Sequence, residues 1–371
     1  MKLRSATLFF GALVFLLGGA SRCRGIENGT VLYATKIYNN KELTTADASW
    51  IASHADLLVI DGSGDSFAVQ MKSENPDLKM FRYFGSCVVG RGSRQPLGAI
   101  TGYEEISESN PEWFLVDSEG NRIKQTPKKY IIDPASNGWA GYWSNKVLKR
   151  IGDLPYDGVH GDLAYTDIGH VIPQAKHRYP REEDFHRVQE RFLAALKQRL
   201  NREGKLLILN NFTMSSSTDP DYLLNTRLDN CDGFNQQGMV MRWRNQPENR
   251  FVNAKRLARG MEIIDECARR EKIVMLGMQP SPDKNEISYC VGCYLLMKND
   301  PWVYLNIDWA GKYENMRRLF KEYGDIMKAD YGVPVRPRYE EKHLWKRKYS
   351  KGLVVVDPVK HTFDFVHQSK Y

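Results

Sequence analysis

Two short stretches carry residues suited to acid–base and hydrogen-bonding chemistry, and they align without gaps: Asp157-Gly-Val-His-Gly-Asp162 and Asp232-Gly-Phe-Asn-Gln-Gln237. In each, an Asp-Gly pair leads into residues that read as a strand. Side chains alternate along a strand, so Gly158, His160 and Asp162 share one face. Gly233, Asn235 and Gln237 share the corresponding face of the second stretch, and both faces turn from glycine to polar toward the carboxyl end. Val159 and Phe234 point the other way, toward a helix layer. A carboxylate at such a strand end, Asp162, can act as a nucleophile or a general base. His160, one layer deeper, can orient Asp162 or a substrate hydroxyl. Asp157 and Asp232 fall near the opposite rim, where a structural turn role fits them better. Two further carboxylates close apolar runs: Asp61 after Leu57-Leu-Val-Ile60, and Asp308 after Tyr304-Leu-Asn-Ile307. Each is either a partner for Asp162 or a stabiliser of the loop it begins.

These positions need strands to carry them. Short apolar runs alternate with amphipathic stretches, the pattern of parallel βα units. Strands are expected at Val31–Tyr38, Asp56–Asp61, Lys79–Phe84, Gly158–Asp162, Leu206–Asn210, Gly233–Gln237, Ile273–Met278 and Trp302–Ile307. Helical patterns are clearest at Asp184–Arg202, Asn253–Arg270, Ile287–Lys298 and Tyr313–Lys328, with a shorter one at Asp221–Leu228. Eight such units over this length predict an α/β fold of the (β/α)8, or TIM-barrel, class. An open doubly wound sheet would show a glycine-rich phosphate turn, and neither GxGxxG nor GxxxxGK[ST] occurs. Gly85–Lys149 is a long excursion between strands three and four, and the tail from Tyr331 holds a small strand, Gly352–Pro358. No low-complexity linker interrupts residues 21–371, which are read as one domain.

The amino terminus sets the compartment. Lys2 and Arg4, the apolar run Leu8–Leu17 and the small residues Gly18-Gly19-Ala20 have the layout of a secretory signal peptide covering residues 1–20. A secreted, periplasmic or extracellular protein follows, with no integral span after cleavage. Six cysteines then permit disulfides, and at least one is expected. Cys290 and Cys293 form a lone CxxC in a helical pattern, which is poor evidence for zinc or for redox chemistry. Asn28-Gly-Thr30 and Asn211-Phe-Thr213 are glycosylation sequons for a eukaryotic host. The net charge of +8 is spread along the chain apart from His343-Leu-Trp-Lys-Arg-Lys348, read as a solvated surface. No nucleic-acid motif accompanies it. No cofactor motif is present, and neither an early HxH nor an HExxH points to a metal.

The order of several motifs resembles a known family. Pro111-Glu-Trp, Tyr130-Ile-Ile-Asp-Pro134 with Trp139 and Trp143 downstream, the Asp157–Asp162 stretch, Asn210-Asn211, Asp232-Gly-Phe and the closing Lys351–Pro358 are similar to glycosyl-hydrolase-like family fifteen. Its members are distant relatives of the α-galactosidase and polygalactosaminidase barrels. The resemblance covers nearly all the mature chain and implies a barrel and glycan chemistry. It also implies that Asp162 is the acting strand-four aspartate. On strand six, where related barrels often carry a second carboxylate, this chain has Gln237. Glycoside hydrolysis usually needs two carboxyl groups, and glutamine cannot exchange protons at useful pH. Either another carboxylate, Asp308 or Asp61, supplies the second function, or catalysis is lost.

The leading expectation is hydrolysis of O-glycosidic bonds in an extracellular polysaccharide or oligosaccharide by a monomeric enzyme. His160, Asn210, Asn235 and Gln237 would contact substrate, and Trp139, Trp143 and Trp243 are either sugar platforms or core and helix-packing residues. The alternative is a barrel that binds glycan without cleaving it. A metal-dependent hydrolase using His160 and Asp162 is a weaker third reading.

Overall fold

The computed structural model describes residues 29–38, 43–92, 99–164, 172–210, 227–241, 250–307 and 312–368. Eight parallel strands form its centre. They are β1 (Ala34–Ile37), β2 (Leu57–Ile60), β3 (Lys79–Gly85), β8 (Gly158–Asp162), β9 (Leu206–Asn210), β10 (Gly233–Gln237), β11 (Ile273–Met278) and β12 (Val303–Ile307), paired in that order. The ring closes where the Leu305 N–H donates to the Leu32 carbonyl at 2.8 Å and Tyr33 bridges to Leu305 in parallel. The fold is a (β/α)8 barrel.

Both faces of the strands are buried, which is why they read as apolar runs. Val59, Phe81, Ile208, Met275 and Tyr304 fill the barrel interior. Leu58, Val159, Leu207, Phe234 and Leu305 face outward into the helix layer. That layer includes α1 (Thr45–His54), α2 (Ala68–Glu74), α4 (Trp139–Ile151), α5 (Glu182–Arg202), α6 (Ala254–Arg269), α7 (Lys284–Met297), α8 (Tyr313–Glu322) and α9 (Gly324–Met327). The helical pattern expected over Tyr313–Lys328 divides in two, with Tyr323 and Gly324 at the joint.

The repeated Asp-Gly pairs lie at the amino-terminal rim and are structural. The Asp157 carboxylate accepts the Met80 N–H at 2.7 Å, and Asp232 accepts the Leu207 N–H at 2.8 Å. Asp56 does the same for Tyr33 at 2.7 Å. Each acid thus ties the start of its strand to the strand before it. The glycines that follow are required by crowding: a Cβ on Gly158 would lie 2.2 Å from the Leu206 oxygen, and one on Gly233 would lie 2.4 Å from that of Ile273.

The excursion after β3 holds β4 (Val88–Gly90), β5 (Ile100–Thr101), α3 (Tyr103–Ser109), β6 (Lys124–Thr126) and β7 (Lys129–Ile131), with the four strands in a second sheet. Helix α4 closes it and leads back to the barrel.

The tail is larger than the single strand expected. β13 (Tyr339–Glu341), β14 (Leu344–Tyr349), β15 (Gly352–Asp357) and β16 (Thr362–His367) form an antiparallel sheet. The basic cluster read as solvated surface is largely β14, an inner strand of that sheet. Arg347 is buried, and its Nη1 donates to the carbonyls of Leu295, Leu296 and Lys298 at 3.1, 3.0 and 2.7 Å. The open carbonyls at the end of α7 need donors, and Arg347 provides them. Helix α7 is buried from Tyr289 through Met297, lying between the barrel and the tail sheet. A helix covered on both sides is apolar all round.

The expected disulfide is not found among the described residues. Cys87, Cys231, Cys267, Cys290 and Cys293 are buried free thiols. Burial pushes Cys87 and Cys293 up to about 12 and Cys231 up to about 11, so they pack as small, protonated, apolar groups. Cys290 contacts the Met241 sulfur at 3.6 Å. Cys23 lies outside the described residues, as do the expected leader, the Asn211–Thr213 sequon and most of the expected Asp221–Leu228 helix. No described helix is long and apolar enough to cross a membrane.

Removing the Asp157 carboxylate leaves the Met80 N–H without its acceptor. Asp157→Ala should lower unfolding free energy by about 1–3 kcal/mol. Urea denaturation followed by circular dichroism measures this loss, and ligand binding at the opposite rim should be unchanged.

Candidate active site

The carboxyl-terminal mouth of the barrel is where the interior becomes polar. Lys36 on β1, Tyr83 on β3, His160 and Asp162 on β8, Asn210 on β9, Asn235 and Gln237 on β10 and Asn306 on β12 have the inward parity of their strands. Asp61 follows β2 with the same parity.

Asp162 is held from several sides. Its carboxylate accepts the Tyr83 hydroxyl, the Asn210 amide at 2.6 Å and the Leu163 N–H at 2.8 Å. Its backbone carbonyl accepts both the N–H and the hydroxyl of Ser86, at 2.7 and 2.8 Å. A carboxylate can only accept, so Asn210 presents its NH2 to Asp162 and its oxygen to Asn235. The Asn235 amide then donates to that oxygen at 2.7 Å. The Lys36 ammonium, 3.3 Å from the same Asn235 atom, would favour the flipped amide. The shorter contact, anchored at its far end by the Asp162 carboxylate, decides for the first orientation. The result is a directed chain, Asn235 to Asn210 to Asp162, and Gly277 makes room for Asn235 because a Cβ there would lie 3.1 Å from its oxygen.

His160 lies beneath. It is fully buried, stacks on Tyr83 at a centroid distance of 5.7 Å, and neither ring nitrogen has a hydrogen-bond partner among the described residues. Burial pushes its pKa down to about 4; the Asp162 charge opposes that shift and Lys36 adds to it. The ring is therefore neutral at neutral pH. From the excursion, Lys129 is close enough to feel the Asp162 charge, which partly offsets the lowering of its own pKa by burial.

The sequence profile of the hypothetical glycosyl hydrolase family 15 matches residues 72–353. The chain belongs to that family. No curated protein matches it. Among solved structures it is similar to the glycoside hydrolase domain of PelA from Pseudomonas aeruginosa, at 13% identity and a TM-score of 0.50, over 75% of this chain and 96% of that one. It is also similar to a noncanonic maltogenic alpha-amylase, AmyB, from Thermotoga neapolitana, at 11% identity and a TM-score of 0.53, over 88% of this chain and 86% of that one. At these identities the likeness is one of fold.

In this family member the residues named from sequence divide into four groups. Asp162, His160, Asn210, Asn235 and Gln237 all belong to the mouth side of the interior. Asp61 caps the turn after β2, accepting the Ser63 N–H at 3.1 Å and its hydroxyl at 2.5 Å. Asp308 and Trp243 lie outside the described residues.

Trp139 and Trp143 are not sugar platforms. Both are fully buried on α4, and their indole N–H groups donate to the carbonyls of Ser86 at 3.2 Å and Gly85 at 2.8 Å. They pin the end of β3, and so hold Ser86 against Asp162. Asp133, from the Tyr130–Pro134 motif, is likewise structural: it accepts the Tyr179 hydroxyl and the Ala135 N–H.

Tyr83, Lys36 and Lys129 were not found from sequence. Tyr83 is the register partner of His160. Carrying the alternation along Lys79–Phe84 would have placed it inward, next to the residues already chosen.

The depressed pKa of His160 has a sign. Its ring protonates near pH 4 when folded and near the ordinary value of about 6.5 when unfolded. Below about 6.5 the unfolded chain takes up a proton that the native chain refuses, so stability is lost as pH falls toward 4. Unfolding free energy measured across this range should decline, and His160→Leu should flatten that part of the profile.

Proposed function

We propose that this chain is a secreted glycoside hydrolase that cleaves O-glycosidic bonds in an extracellular polysaccharide, with Asp162 as nucleophile or general base. One observation carries the reading: a carboxylate at the mouth of a (β/α)8 barrel is oriented by Tyr83, Asn210 and the Leu163 N–H. Active sites on this fold sit at that end. Membership of a glycosyl hydrolase family agrees with it. Signal-peptide removal would leave residues 21–371 as one domain acting as a monomer.

The mechanism needs a second carboxyl group. Asp61 is already engaged as a turn cap, which favours Asp308 as the acid. In sequence, Asp308 continues the parity of Tyr304 and Asn306. Asn210 and Gln237 would serve substrate hydroxyls, while the fully buried His160 and Asn235 would act from beneath, through Tyr83 and Asn210.

A second reading has its own observation. Among the described residues the groups that hydrogen-bond the Asp162 carboxylate are a phenol, an amide and a backbone N–H, and strand β10 ends in Gln237. A barrel so furnished could bind glycan and release it unchanged.

Asp162→Asn separates the two readings. Under the hydrolase reading, reducing-end release from a responsive polysaccharide should fall by at least about 10²-fold, with the thermal melt nearly unchanged. If wild type binds that polysaccharide but releases no reducing ends, and the variant behaves the same, the binding reading takes its place.

A further inference from the structure

A cavity of about 670 Å³ lies far from Asp162, between α6, the Asn299–Trp302 turn before β12, and the tail sheet. Its volume falls within the roughly 300–1,000 Å³ of small-ligand sites. Because Trp302 precedes β12 and Asp162 ends β8, the cavity is on the amino-terminal side of the barrel.

Its walls differ from those of an ordinary crevice. Two indoles, Trp302 and Trp345, line it, and both are only partly buried. Neither indole N–H has a hydrogen-bond partner among the described residues, in contrast to Trp139 and Trp143, whose N–H groups are both used. Charged groups surround them in equal number: Glu262, Asp265 and Asp300 against Arg269, Arg338 and Arg347. All six are held in place by partners: Arg338 by Asp265 at 2.5 Å, Asp300 by Lys298 at 2.5 Å, Glu262 by Arg259 at 2.8 Å, Arg269 by Glu266 at 2.6 Å, and Arg347 by the carbonyls that end α7. Nε of buried Arg347 and Oδ1 of Asp300 have no partner among the described residues, and both atoms are enclosed rather than open to the cavity.

A ligand for this lining must offer apolar faces to two indoles and many hydroxyls to a ring of donors and acceptors, and carry little net charge. A pyranose chain has that combination: its C–H face packs on indole while its hydroxyls bond guanidinium and carboxylate groups. We propose that this cavity is an accessory binding site for a neutral oligosaccharide, separate from the barrel mouth. The proposal rests on the reading of the chain as glycan-active. Here the barrel would hold a second stretch of polymer while the mouth works on the first.

Oxidation of indoles by N-bromosuccinimide, mapped by peptide mass spectrometry on the whole protein, tests this without a substitution. The probes are maltohexaose, cellohexaose and chitohexaose, with hexagalacturonate as the anionic contrast. Trp302 and Trp345 should be oxidised without saccharide and protected at least fivefold by a neutral hexamer, while hexagalacturonate protects them less. Trp345→Ala should weaken binding of the same hexamer at this site tenfold or more, and Asn210→Ala should leave protection intact. Oxidation of Trp302 and Trp345 that no neutral hexamer slows overturns the proposal. If reducing-end release at the mouth persists in that case, only the accessory site has failed. If no saccharide is bound or cleaved anywhere, the glycan reading fails with it.

Discussion

The joint between the ends of β3 and β8 is the constraint on which the site depends. Ser86 gives both its N–H and its hydroxyl to the carbonyl of Asp162. Ser86 is in turn fixed from outside the barrel, because Trp139 and Trp143 reach over from α4 to its carbonyl and to that of Gly85. The carboxylate is therefore set by contacts on two levels, main chain below and side chains above. Tyr83 belongs to the same joint and bridges the levels, stacking on His160 and donating to Asp162. Rigid placement of this kind is what a reacting or recognising carboxylate requires. The excursion, which first looks like an insertion, is the device that makes the joint.

Polarity inside the barrel rises along the strands and has to be matched as it rises. The amino-terminal half is filled by side chains such as Val59, Phe81 and Met275. Toward the mouth, amides take over: Asn235 serves Asn210, Asn210 serves Asp162, and Asn306 ties to the Ala34 carbonyl at 3.0 Å across the closing seam. The match is incomplete: among the described residues both His160 nitrogens and the Asn306 side-chain oxygen have no hydrogen-bond partner. An unmet buried polar group costs stability, and the position of His160 directly beneath Asp162 gives that cost a functional setting.

Much of this was legible in the sequence, for physical reasons. The last five barrel strands are apolar or alternating runs bounded by turns, and four of their eight-strand set, Gly158–Asp162, Leu206–Asn210, Gly233–Gln237 and Ile273–Met278, begin and end where alternation places them. Parity along β8 and β10 correctly sent His160, Asp162, Asn235 and Gln237 inward. Burial was not legible in the same way. Tryptophan suits a sugar platform and a core pin equally well, and only the helix carrying Trp139 and Trp143 decides between them. The tail misled for a related reason: Lys346, Arg347 and Lys348 resemble solvated surface until the carbonyl ends of α7 appear opposite Arg347. Cysteines that looked like staples proved to be packing groups, because composition records their number and not their separation.

The central claim is that Asp162 is the centre of two-carboxyl glycan chemistry at the barrel mouth. An experimental structure of the protein soaked with a responsive oligosaccharide tests it most directly. The account predicts a sugar ring within hydrogen-bond reach of the Asp162 carboxylate. It also predicts a second carboxyl, from Asp308 in the first instance, at roughly 5–5.5 Å for a retaining enzyme or 6.5–9.5 Å for an inverting one. A mouth with no carboxyl within about 10 Å of Asp162, beyond the upper end of that range, would contradict it.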